Sequence, residues 1–154
     1  MKVEQLKKSM RILSVDDSPE DVEFFRLALA ECDGGHILSV ARDGVEAMEF
    51  LRRIGRFSDA PRPDIILLDL NMPRKDGREV LVEIKGDPAL RSIPVIVLTS
   101  SNAPEDVLKM YALQANCYIA KPVDFNEFIS VAKAIEGFWF GIASLPGTVS
   151  WPQR

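Results

Sequence analysis

Apolar residues fall in five short runs separated by longer amphipathic stretches. The runs cover 12–15, 37–41, 65–68, 95–98 and 117–119. Three of them are Leu-rich or β-branched on consecutive positions, the pattern of strands buried on both faces of a parallel sheet. Between them the apolar positions recur at helical spacing: Val22, Phe25 and Leu29; then Val45, Met48 and Leu51; then Val80, Leu81 and Ile84; then Val107, Leu108 and Tyr111. A final stretch from Phe125 to about Phe140 reads as one long helix. Ser18-Pro19-Glu20-Asp21 has the form of a helix start, and Asn102-Ala103-Pro104-Glu105-Asp106 repeats it one residue looser. Asp43-Gly44, Asp76-Gly77 and Gly86-Asp87-Pro88 read as turns, and the glycine and prolines of 55–63 predict a loop without regular structure. Alternating strands and helices with right-handed crossovers predict an α/β fold, a doubly wound five-stranded parallel sheet with helices on both faces.

The chain has 154 residues, 19 Lys+Arg and 23 Asp+Glu, for a net charge of −4. One domain is expected at 11–140, with an N-terminal extension at 1–10 and a tail at 141–154. Without a run of basic residues a nucleic-acid surface is not expected; Arg52, Arg53 and Arg56 at a helix end read as complements of its dipole. Neither a secretory signal nor a membrane span is legible, so a soluble cytoplasmic protein is expected. Cys32 and Cys117 read as small buried apolar groups, and His36, the single histidine, as the start of the second strand.

Ligands of an open α/β sheet collect beyond the carboxyl ends of its strands. The first run ends in Asp16-Asp17, the third in Asp69, the fourth in Thr99-Ser100, and Lys121-Pro122 closely follows the fifth. Three converging carboxylates repel one another and call for a compensating charge. Mg²⁺ is the expected cofactor, because it takes carboxylate and carbonyl oxygens while keeping waters for a phosphoryl donor. Asp69, the central group, is the expected nucleophile toward phosphorus, with charge on the transferring oxygens met by metal, ammonium and hydroxyl.

These motifs, ILSVDDSPED, DIILLDLNMPRKDG, VIVLTSS and YIAKP, resemble in order and spacing those of the receiver domains of two-component response regulators. The resemblance spans 11–140 and implies the flavodoxin-like receiver fold. It also implies phosphoryl transfer to Asp69 from a sensor histidine kinase, with Mg²⁺ held by Asp16, Asp17, Asp69 and the backbone carbonyl of Asn71. Thr99 and Lys121 would contact the phosphoryl oxygens, and Thr99 and Tyr118 would form the switch. The stretch before the third strand, LNMPRKDGREVL and the FWF sequence further resemble small response regulators serving bacterial and cyanobacterial phytochromes. Only 14 residues follow Phe140, so a stand-alone regulator without an effector domain is expected.

Two other readings use the same residues. Phosphatases of the haloacid-dehalogenase type also use an Asp nucleophile with Mg²⁺, but they place a second Asp two residues on, where this chain has Asn71. A non-catalytic scaffold dimer is the other. On a wheel of 100° per residue the apolar positions of 125–142 fill an arc of roughly 200°, about twice what a sheet covers. A homodimer through the last two helices is therefore expected, with Phe138, Trp139 and Tyr111 as interface candidates, unless Leu145, Pro146 and Trp151 of the tail fold over the arc.

Overall fold

The computed structural model describes residues 9–32 and 34–146. Five parallel strands, β1 (Arg11–Val15), β2 (Ile37–Ala41), β3 (Ile65–Leu68), β4 (Val95–Thr99) and β5 (Cys117–Ala120), form one sheet in the order β2-β1-β3-β4-β5. The helices are α1 (Pro19–Ala30), α2 (Gly44–Arg52), α3 (Gly77–Gly86), α4 (Pro104–Ala112) and α5 (Phe125–Ile135). Because successive strand residues face opposite sides, the consecutive apolar runs fill two cores. Ile65, Leu67, Ile96 and Leu98 join Phe25, Ala28 and Leu29 of α1 and Phe128, Ala132 and Ile135 of α5 on one face. Ile66, Leu68, Val95 and Val97 join Met48, Phe50, Val80, Leu81, Ile84 and Met110 of the three other helices on the opposite face. Met110 is thus core while Tyr111 beside it is half exposed.

Side-chain caps start four helices at the carboxyl edge of the sheet. Ser18, Asp43, Asp76 and Asp124 each accept from a backbone N–H three residues on, and Asp76 with Glu79 forms a reciprocal capping box. Asp43-Gly44 and Asp76-Gly77, expected as turns, are therefore helix starts. Both glycines are required by close approach. A Cβ on Gly77 would collide with the carbonyl oxygen of Asp69, and one on Gly44 with that of Lys75.

Three further expectations are corrected. The stretch 55–63 contains a 3₁₀ turn, Gly55–Phe57, closed by Ser58 N–H to the Gly55 carbonyl at 3.1 Å. Cys32 and Cys117 are half-buried, not buried. The last helix does not keep one pitch, for α5 passes at Glu136 into a π-helical segment, Glu136–Ile142. A π turn holds more residues than an α turn, so a 100° wheel misplaces everything after Ile135. Trp139 and Phe140 consequently lie half-buried against the α1/α5 core of their own protomer, while Phe138 and Ile142 point outward. Leu145 of the tail is buried in that core, so the tail does cover part of the arc; Trp151 lies outside the described residues.

His36 immediately precedes β2 and ties the opposite, amino edge of the sheet together. Its Nδ1 accepts from Met10 N–H at 3.1 Å, which places its proton on Nε2, 3.3 Å from Glu136 Oε2. No helix among the described residues is long and apolar enough to cross a membrane.

Candidate functional site

The strand order reverses on either side of β1, which opens a crevice beyond the ends of β1 and β3. The ladder continues one residue past these strands, from Asp16 N–H to the Ala41 carbonyl and from Asp69 N–H to the Val15 carbonyl, both at 2.9 Å. It thereby aims two buried carboxylates into the crevice. Asp17, the next residue, is exposed; carboxylate oxygens of Asp16, Asp17 and Asp69 lie within 4.8 Å of one another. Thr99 ends β4 fully buried, and its hydroxyl donates to Asp69 Oδ1 at 2.8 Å. Lys121, anchored by its N–H to the Thr99 carbonyl at 2.7 Å, brings its ammonium to Asp69 Oδ2 at 3.1 Å and Asp16 Oδ2 at 2.9 Å. Five of the expected residues thus converge. Asn71 follows in the exposed loop after β3, its N–H turned back toward Asp69 at a long 3.5 Å.

Burial pushes the Asp16 carboxyl up to about 6, against the hydrogen bonds from Lys121 and Ser18 N–H that favour its charged form. Burial also works against the Lys121 ammonium, but hydrogen bonds to Asp21 and Asp16 and the charges of Asp16 and Asp69 outweigh it and raise its pKa above the ordinary lysine value. The lysine is therefore charged throughout the physiological range. Three carboxylates crowded within a few ångströms of one another suit a hard divalent cation. Beside Asp16 and Asp17 a cleft of about 530 Å³, lined also by Arg42, Arg56 and Phe57, opens the edge to solvent.

The loop carrying Asn71 is fastened to the start of α2. Arg74, in the left-handed region at φ 65°, donates from Nε to Asp43 Oδ2 at 2.8 Å, and Gly44 N–H meets the Lys75 carbonyl at 3.0 Å. Past it, Arg78 donates to Asp106 Oδ1 at 2.9 Å; Ser101 donates to the other oxygen of Asp106 at 2.6 Å, and the Tyr118 hydroxyl donates to the Ser101 carbonyl at 2.8 Å. The switch candidates thus meet the same loop two residues apart, Thr99 at the Asp69 carboxylate and Tyr118 at Ser101.

Asp21, which the sequence presents only as part of a helix start, joins the site. Its Oδ2 lies 2.8 Å from Lys121 Nζ. The available signal was spacing: α1 begins two residues after Asp17, which sets its first turn over the ends of the strands.

A model of the response regulator receiver domain matches residues 12–133. Response regulator Rcp1 of Synechocystis sp. (strain ATCC 27184 / PCC 6803 / Kazusa) is 44% identical over 135 residues, 88% of this chain and 92% of Rcp1. The phosphorylated cyanobacterial phytochrome response regulator RcpA superposes with a TM-score of 0.86 at 46% identity, covering 90% of this chain and 99% of RcpA. The Mn²⁺-bound form of Rcp1 does so with a TM-score of 0.83 at 44% identity over 89% of this chain and 99% of its own. With its flavodoxin-like fold and acidic crevice, the chain belongs to the response regulator receiver domain family.

Proposed function

We propose that the protein accepts a phosphoryl group on Asp69 from the phosphohistidine of a sensor histidine kinase, one of phytochrome type, and signals by protein contact. The observation that carries this is the buried Asp69 carboxylate held between the Thr99 hydroxyl and the Lys121 ammonium with Asp16 and Asp17 alongside. As an Asp69 oxygen bonds to phosphorus, the P–N bond to the donor imidazole breaks and its electron pair returns to the ring nitrogen. Lys121 and Thr99 face the oxygens on which charge is spread, and both are fixed before reaction. Asp16, Asp17, Asp69 and the Asn71 carbonyl would hold Mg²⁺, which neutralises phosphoryl charge when bound. The same groups would assist loss of the phosphoryl group to water. Asn71, an amide, cannot act as the general acid that the phosphatase reading needs two residues after the nucleophile.

For output, recruitment of Thr99 to the phosphoryl group shifts its loop, which Tyr118 reads through Ser101. Exposed Leu108, Tyr111, Phe138 and Ile142 support self-association on the α4–β5–α5 side, with a reduced share for Trp139 because it already packs inward. The module 11–140 would carry acceptor and output surface together, in the cytoplasm. The test is intact mass after incubation with Mg²⁺ and acetyl phosphate. Wild type gains one phosphoryl group and Asp69→Asn gains none, while circular dichroism shows the variant folded; uptake by Asp69→Asn at the wild-type rate contradicts the proposal.

A further inference from the structure

The Lys121 ammonium lies against three carboxylates: Asp16 at 2.9 Å, Asp21 at 2.8 Å and Asp69 at 3.1 Å. Asp21 differs from the other two in three respects. It is not part of the cluster whose oxygens could share a metal ion. It comes from the first turn of α1, where its own N–H is capped by Ser18 and the helix is buried behind it through Phe25, Ala28 and Leu29. Its side chain is 31% exposed, against 7% for Lys121, so it closes the lysine on the solvent side.

These differences matter once the site is loaded. A divalent cation on Asp16 and Asp69 repels the ammonium from both carboxylates, and a phosphoryl group on Asp69 replaces one of them as acceptor. Asp21 is the one contact that neither event removes. We infer that Asp21 is a positioning residue for phosphoryl transfer: acting through Lys121, it holds the ammonium clear of the metal ligands and facing the transferring oxygens. Neither residue gives up a proton in the step; the bond made is Asp69 oxygen to phosphorus, and the bond broken is phosphorus to leaving group. Without Asp21 the ammonium leans on Asp16 and Asp69, where it opposes the metal and meets the phosphoryl group in the wrong place. The inference rests on Asp69 being the acceptor.

The experiment measures phosphorylation by acetyl phosphate in saturating Mg²⁺, resolved into a limiting rate and a half-saturating concentration, for Asp21→Ala in the wild-type and Lys121→Met backgrounds. In the wild-type background the limiting rate falls about tenfold, while half-saturation moves by less than about twofold. Asp21→Asn, which keeps an acceptor oxygen but no charge, falls between. In the Lys121→Met background Asp21→Ala changes the limiting rate by less than about twofold, because the residue through which it acts is gone. An equal loss in both backgrounds, or no loss in the first, overturns the inference. A second measurement needs neither metal nor donor. By ¹⁵N NMR of the metal-free protein the Lys121 ammonium exchanges slowly in wild type and is lost to solvent exchange in Asp21→Ala; a signal unchanged by the substitution overturns the inference. Wild type that takes up no phosphoryl group brings down the acceptor reading and the inference with it, a result distinct from phosphorylation that ignores Asp21.

Discussion

Two half-buried lysines stand at opposite edges of the same sheet. Lys121, at the carboxyl edge, meets three carboxylates, which raise its pKa despite burial. Lys85, in the last turn of α3, reaches the amino edge and donates to the carbonyls of Arg91 and Ile93 at 3.0 and 3.1 Å and to Asn116 Oδ1 at 3.2 Å. Among the described residues no carboxylate pairs with it, and burial lowers its pKa. Neutral acceptors satisfy a lysine and tie loops together. Carboxylates in excess of cations leave a net negative field that favours a divalent cation. The partners, more than the burial, set the opposite pKa shifts of the two lysines.

Exchanging each lysine for methionine sharpens the contrast. Lys121→Met should slow phosphorylation by acetyl phosphate about a hundredfold, the usual cost of removing one donor preorganised for developing charge. Lys85→Met should leave that rate unchanged. Equal rates for the two variants would erase the distinction between the edges.

The next effect is in stability. Asp16, raised from 3.8 to about 6, binds its proton more tightly folded than unfolded. The stability it contributes is therefore complete below about pH 4 and is lost as pH rises through about 6, a swing of about 2–3 kcal/mol in metal-free protein. Urea unfolding from pH 4 to 8 checks this by difference: Asp16→Asn should gain on wild type as pH rises, and parallel curves would contradict it. Thr99→Ala should keep some phosphorylation yet uncouple Tyr118, a coupling of about 1–3 kcal/mol. An equal response of the Tyr118 ring to beryllofluoride in both proteins would refute the coupling. At the amino edge, Lys85→Met should cost about 1–2 kcal/mol in the same unfolding measurement, through carbonyls left without a donor.

The sheet was legible because its central strands are buried on both faces and need unbroken apolar runs; β3 begins and ends at the expected residues, and β1 and β4 differ by one residue. The carboxyl edge was legible because strand ends put Asp16, Asp17, Asp69 and Thr99 in one place whatever the helices do. Asp21 was not, because an acid in a first helical turn already has a sufficient reason to be there in the helix dipole. The end of α5 was not, because a change to π pitch leaves no mark in a pattern read at one fixed angle. The Arg78–Asp106–Ser101 chain joins residues far apart in sequence through side-chain hydrogen bonds, and periodicity is silent on such partners.

The central claim is that this unbalanced edge places a phosphoryl group on one aspartate. Borohydride reduces an aspartyl phosphate to homoserine, so wild type treated with Mg²⁺ and acetyl phosphate, reduced, digested and sequenced by mass spectrometry, should carry homoserine at residue 69. Homoserine at residue 16, 17 or 21 in its place, or aspartate intact at all four in protein that has gained phosphoryl mass, would contradict the account.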